Sequence, residues 1–120
     1  VEAAARTAAA DDFLRRLPSG DTEAALRRIV AASREASALV LLVAVPQPSL
    51  AGAAGLGLAD HPLYARLAEG LQLPLHAGGW SRVLGDDKLK SDAIHANAAG
   101  YRAFAEGLAA TLRTQQLLAH

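Results

Sequence analysis

An aspartate and a histidine three residues apart are the side chains of this sequence best suited to chemistry. Asp92 and His95 lie in the segment KSDAIHANAAGY, which spans residues 90–101. A single tight turn can bring residues at this spacing together, and a hydrogen bond between them would fix the imidazole tautomer and favour the imidazolium, as a general base in acyl transfer requires. The pattern also fits an aspartate that caps a turn beside an ordinary surface histidine.

The whole segment resembles the last conserved block of the SGNH (GDSL-type) hydrolases, in which the pattern D-x-x-H-P-N-x-x-G-Y precedes a C-terminal helix. The matching residues are Asp92, His95, Asn97, Gly100 and Tyr101, and an alanine replaces the usual proline. The resemblance implies that Asp92 and His95 are the acid and base of a Ser-His-Asp triad. It further implies a serine esterase or lipase-like acyl hydrolase that cleaves small carboxylic esters without a cofactor.

A weaker resemblance to the same family lies near the start of the chain. In the family a strand ends in G-x-N-D, and the asparagine donates a hydrogen bond into the oxyanion hole. Aligned on residues 12–16, DFLRR, this chain has Asp11 at the asparagine position and alanines where glycines are expected. A carboxylate has no N–H to donate, and losing such a donor costs about 2.7–4 kcal/mol. The alternative interpretation is a charged pair that opens a short helical turn.

The serine nucleophile of the family is not found in this sequence. The family carries it in a G-D-S block that precedes the G-x-N-D block, and none of the six serines here has that context; Ser49 is the least implausible substitute. Since the chain also begins with valine, we interpret it as a processed or partial product, the C-terminal portion of such an enzyme. No metal site is expected, because His61, His76, His95 and His120 lack zinc-ligand spacing.

Hydrophobic patterning predicts one α/β domain over residues 1–120. Predicted helices span 1–10, 21–36, 61–71 and 97–114, with one helical turn at 80–84, and buried strands span 38–45 and 73–76. A helix followed by a continuous apolar strand is typical of α/β layering. Together with the family resemblance, this implies a three-layer, flavodoxin-like parallel sheet with flanking helices, from which the N-terminal strands are missing.

The loop that follows the strand 38–45 is the predicted substrate-binding segment. Ligands in open α/β sheets bind at the carboxyl ends of strands, and in the SGNH family the corresponding loop helps to form the substrate pocket. Gln47, Ser49 and Leu50 are therefore candidate contacts, although a plain surface connection is an equal alternative. Farther along, Trp80 is interpreted as a partly buried anchor rather than a residue that stacks on a ligand.

Composition limits the possible partners. Twelve acidic and twelve basic residues give zero formal net charge, which argues against a nucleic-acid or anionic-membrane surface. No apolar run approaches the roughly 20 residues that span a bilayer. The chain has no cysteine, so disulfides are excluded and the compartment stays undetermined. Two alternatives to an esterase remain. One is a non-catalytic α/β binding module or degenerate relative of the family, and the other is a structural fragment that associates with its missing half or with another copy.

Overall fold

The computed structural model describes residues 19–49 and 57–118, and the structural statements that follow concern these residues. The chain divides into two compact units, Val1–Ala38 and Leu39–His120. The prediction of a single domain stays a prediction. The predicted helix 1–10, Asp11 and Leu50 lie outside the described residues.

The first unit contributes one described helix, α1 (Ser19–Glu35), which begins two residues before the predicted start. Val30 is buried, whereas its neighbour Ile29 is 55% exposed. The helix ends before Ser37, which has a left-handed backbone with a φ of 61°. Such a residue commonly terminates a helix, because it turns the chain away from the helix axis.

The second unit contains a two-stranded parallel sheet. The strands are β1 (Leu42–Val43) and β2 (Leu75–His76), and the helix α2 (Pro62–Leu71) lies between them in the chain. Parallel strands need such a crossover connection, so the three elements form a β-α-β unit. The α/β class predicted from the sequence is confirmed.

Register determines which side chains share a face of the sheet. Leu42 pairs with Leu75, and Val43 pairs with His76; because side chains alternate along a strand, the two pairs lie on opposite faces. Both strands are shorter than predicted. Two further backbone hydrogen bonds flank the paired residues, from Leu42 N to Pro74 O and from Ala44 N to His76 O.

Local capping explains the bounds of α2. His61 precedes the helix with an extended backbone, and its Nδ1 atom accepts the N–H of Leu63 at 3.0 Å. Pro62 then occupies the first helical position, where a missing N–H costs nothing. The helix ends at Gln72, whose φ of 53° is left-handed. The predicted span of 61–71 is therefore confirmed, except that His61 is the cap.

Two helices follow the sheet, α3 (Gly79–Leu84) and α4 (Ala98–Thr114). Trp80 of α3 is stacked on Phe104 of α4, with ring centroids 3.7 Å apart, and meets Tyr101 edge to face at 6.1 Å. Trp80 is half-buried in this contact, as expected of an anchor between two helices. Both helices lie where the sequence predicted them.

The apolar residues of α4 are only partly buried. Phe104, Leu108 and Leu112 are half-buried, whereas Tyr101 is 52% exposed and Ala105 is exposed. At its first turn the helix packs closely against Leu89 and Ala96 through Gly100, which is buried.

The buried apolar core of the second unit consists of Leu42, Ala44, Leu63, Leu67, Ala68, Leu73, Val83 and Ala96. Within the described ranges, we find no helix with the length and apolar character to cross a bilayer.

Candidate active site

A short closed loop carries Asp92 and His95. Lys90 and Ala96 form an antiparallel bridge at its base, and inside the loop the N–H of Ser91 donates to the carbonyl oxygen of His95 at 2.9 Å. The Oγ atom of Ser91 also reaches that carbonyl, at 3.3 Å. The turn predicted from the three-residue spacing is therefore present, and hydrogen bonds inside the loop hold its backbone in place.

Asp92 organises this loop through one carboxylate oxygen. Its Oδ1 atom accepts the N–H of Ile94 and the N–H of His95, each at 2.9 Å. An aspartate that bonds backbone groups two and three residues ahead is a common turn-forming arrangement. The carboxylate is thus held in one orientation before it meets the imidazole.

The predicted contact between the two side chains is confirmed. The Nδ1 atom of His95 lies 2.8 Å from Oδ2 and 2.9 Å from Oδ1 of Asp92. Because an ionised carboxylate can only accept, Nδ1 must carry the proton that joins them. In the neutral ring the free electron pair is then on Nε2, which has no hydrogen-bond partner among the described residues. This is the tautomer that a general base needs.

Hydrogen bonding favours the ionised form of Asp92. The pKa of this carboxyl lies below its ordinary value of 3.8, first because the N–H of Ile94 donates to it and then because His95 does. Asp92 therefore remains a carboxylate through the pH range in which a histidine can act as a base. Charge on the imidazolium, when it forms, has an adjacent negative partner.

Both side chains of the pair are open to solvent. His95 is 58% exposed and Asp92 57%. Water at such a site screens the attraction between the two charges and competes for their hydrogen bonds. The loop consequently orients the carboxylate and the imidazole toward each other but does not enclose them in the dry surroundings in which acid–base pairs act most strongly.

Among the predicted site residues, Asp92 and His95 are the two that the structure brings into contact within the described ranges. Gln47 and Ser49 are exposed and follow β1, and the N–H of Gln47 donates to the carbonyl of Ala59 at 2.8 Å. Asp11 and Leu50 lie outside the described residues. The roles assigned to these four residues stay predictions.

Two described serine hydroxyls of the second unit bond groups other than the imidazole. Ser81 donates to Asp60, and Ser91 donates to the carbonyls of its own loop. Ser91 is next to Asp92 in the chain, yet its hydroxyl bonds the backbone of the turn. These two hydroxyls are therefore not the partners of Nε2.

Asp60 is a structurally important residue that the sequence did not reveal. Its carboxylate accepts the N–H of Gly78 at 2.7 Å and the hydroxyl of Ser81, which is buried. These bonds tie the chain after β1 to the start of α3. No local pattern signals them, because the partners lie 18 and 21 residues away.

His76 is a second residue whose setting was not foreseen. It ends β2, is only 5% exposed, and its Nδ1 atom lies 2.7 Å from Oγ1 of Thr111 in α4. The ring meets Phe104 edge to face, and its Nε2 atom is buried without a hydrogen-bond partner. His76 thus packs the sheet against α4 and is separate from the exposed pair.

The described residues contain no group of three or more histidine, aspartate or glutamate side chains that could hold a metal ion. Comparisons with protein-family models, with curated proteins and with solved structures found no match for the chain. The interpretation of the site accordingly rests on its geometry and on the resemblance of residues 90–101.

Proposed function

We propose that Asp92 and His95 are the acid and base of an SGNH-type serine hydrolase that cleaves carboxylic esters. The serine would come from a segment that is not in this sequence. One observation carries the proposal: the hydrogen bond to Asp92 fixes the proton on Nδ1 of His95 and leaves the electron pair on Nε2 of a side chain that is 58% exposed. A histidine held in this tautomer can take a proton from a hydroxyl group.

The proposed reaction follows the chemistry of a Ser-His-Asp triad. The serine oxygen attacks the ester carbonyl carbon while Nε2 of His95 takes the hydroxyl proton. The imidazolium, stabilised by Asp92, then gives that proton to the departing alkoxide. Water attacks the acyl-serine with Nε2 again as base, which releases the carboxylic acid and restores the serine. Since Asp11 cannot donate to an oxyanion in its ionised form, the donors would have to be other N–H groups.

The fold is consistent with this proposal. A β-α-β unit with parallel strands is the repeating element of a three-layer, flavodoxin-like sheet, and we propose that β1 and β2 are its last two strands. Val43 and His76 share one face of this sheet, and Leu42 and Leu75 share the other. His76 contacts Thr111 on α4, so one face is already packed against a helix.

The test is hydrolysis of p-nitrophenyl acetate in two arms. The chain alone should release p-nitrophenol only slowly, as an exposed imidazole does. Adding a segment that carries the G-D-S block of a GDSL-type esterase should give turnover that a fluorophosphonate blocks. In that arm His95→Gln should lower the rate by roughly 10²–10⁴, the usual contribution of a general base.

His61→Asn is the matched control. It also removes an imidazole, but its amide oxygen can still accept the N–H of Leu63 that His61 receives at the start of α2. The control should retain the full rate in both arms. Equal rates for His95→Gln and the unmodified chain in both arms would remove the proposal and favour a non-catalytic binding module.

A second candidate function is association, either with a missing N-terminal segment or with another copy. The observation that favours it is the large apolar side chains left open in the second unit, with Leu39 78%, Ile94 54% and Tyr101 52% exposed. Burying such surface is favourable by about 25 cal/mol per Å². Light scattering coupled to size-exclusion chromatography tests it, and a monodisperse monomer across the accessible concentrations would count against it.

A further inference from the structure

The side chain of Asn97 joins the first turn of α4 to the segment that precedes the Asp92–His95 loop. Its Oδ1 atom accepts the N–H of Gly100 at 2.9 Å, which caps the helix. Its Nδ2 group donates to the carbonyl of Lys88, also at 2.9 Å. The backbone N–H of Asn97 adds a third bond, to the carbonyl of Leu89 at 3.0 Å. One residue thus bonds both the helix and the incoming chain.

Gly100 completes this junction from the helix side. A Cβ atom at this position would collide with the carbonyl oxygen of Leu89 and would lie 3.0 Å from the Cβ of Ala96. The backbone carbonyl of Leu89, before the loop, and the side chain of Ala96, at its end, therefore lie directly against the helix. Only glycine permits an approach this close.

Helix capping alone does not require an asparagine here. Serine and aspartate cap helices about as well as asparagine does, but a carboxylate in its place could not donate to the Lys88 carbonyl. The Nδ2 group bonds Lys88, nine residues earlier, in the segment that precedes the loop. Asparagine at this position therefore holds the segment before the loop as well as capping the helix.

We propose that Asn97 and Gly100 are positioning residues for the Asp92–His95 pair. They fix the two ends of the loop against the first turn of α4, and the loop in turn presents Nε2 of His95 in one direction. This inference rests on the proposed function for its catalytic meaning. The orientation of the pair can nevertheless be measured without any enzymatic activity.

The experiment compares Asn97→Asp, Gly100→Ala and Leu108→Ala in the full chain. Asn97→Asp keeps the helix cap and loses the donor to Lys88. Gly100→Ala raises helix propensity but drives Leu89 away. Leu108→Ala removes half-buried apolar contacts from the same helix, two turns beyond the junction, and serves as the control for general destabilisation.

The readout is the tautomer of His95, taken from long-range ¹H–¹⁵N correlations of the imidazole, with circular dichroism as the measure of helix content. We expect unchanged helix content in Asn97→Asp, with a shift from the Nδ1–H form toward the Nε2–H form that predominates in free histidine. Gly100→Ala should shift the tautomer in the same direction, and Leu108→Ala should leave it as in the unmodified chain.

The inference is overturned if folded Asn97→Asp retains the Nδ1–H form, or if Leu108→Ala shifts the tautomer equally. Should Gly100→Ala fail to fold, Asn97→Asp decides alone. The two proposals fail separately. A tautomer shift, together with no His95-dependent ester hydrolysis when the G-D-S segment is present, supports the positioning role and removes the esterase proposal. An unchanged tautomer alongside such hydrolysis removes only the positioning role.

Discussion

Replacing Asp92 with asparagine alters one functional group of the candidate site while keeping the shape of the side chain. The amide oxygen, in the place of Oδ1, still accepts the N–H groups of Ile94 and His95, so the turn should persist. The amide nitrogen, in the place of Oδ2, would lie 2.8 Å from Nδ1 of His95. Two donors cannot share that position. The amide oxygen lies 2.9 Å from Nδ1 but already accepts the two backbone N–H groups, so the ring should move its proton to Nε2.

The size of the effect follows from the exposure of the pair. In a buried Ser-His-Asp triad the same substitution lowers kcat by about 10⁴, because the wrong tautomer is then favoured. Here the two side chains are 57% and 58% exposed, so water can accept the Nδ1–H in place of the lost carboxylate. We therefore expect a loss of about 10- to 100-fold in His95-dependent ester hydrolysis, at or below the lower limit of the roughly 10²–10⁴ that a general base contributes.

The assay pairs this rate with the ¹⁵N signals of the imidazole at a pH where the ring is neutral. Unmodified protein should show the Nδ1–H form, and Asp92→Asn the Nε2–H form. Asp87→Asn is the matched control, because that carboxylate pairs with Lys90 at 3.3 Å and not with His95. An Nε2–H form in the unmodified protein, or the same tautomer in both proteins, would refute the reasoning.

Three further predictions concern stability and pH. Leu67→Ala, at a fully buried position, should lower the free energy of unfolding by about 2–5 kcal/mol in urea titrations; a loss below 1 kcal/mol would contradict the packing. Thr111→Val should lower it by about 1–3 kcal/mol, because His76 then loses the partner of its Nδ1 atom, and Thr114→Val, at an exposed position of the same helix, should change it little. Because the pKa of Asp92 is below 3.8, its carboxylate supports the loop above that pH, and the support is lost as the pH falls through the lowered pKa. The carboxyl ¹³C signal of Asp92 should therefore have its acid titration midpoint below pH 3.8, and a midpoint above that pH would contradict the hydrogen bonds to the carboxylate.

Features encoded by neighbouring residues were predictable from the sequence. Asp92 and His95 meet because three residues fit one turn, and Asn97 caps α4 because its amide oxygen reaches the N–H of Gly100. Such contacts depend on a few dihedral angles, so residue type and spacing determine them. The α/β class follows in the same way from the order of amphipathic and apolar segments.

Contacts between distant residues were not predictable, because they depend on the path of the chain. The bond from Ser81 to Asp60 and the one between His76 and Thr111 span 21 and 35 residues. Each involves a polar group whose sequence neighbours give no sign of its partner. The exposure of Tyr101 has the same origin, since the helical period identifies an apolar stripe but not what covers it.

The short loop orients Asp92 and His95, but it leaves both side chains exposed to water. The proposed reaction requires more than this orientation. Orientation is local, because the turn and the first residues of α4 provide it. Exclusion of water and stabilisation of an oxyanion are not local, because they need N–H donors and a low dielectric around the reacting atoms. A segment that carries a serine to Nε2 of His95 would displace water from the same face. Binding of that segment would then both supply the nucleophile and strengthen the Asp92–His95 hydrogen bond. A partner that restores ester turnover should therefore also protect the Nδ1 proton from exchange with solvent.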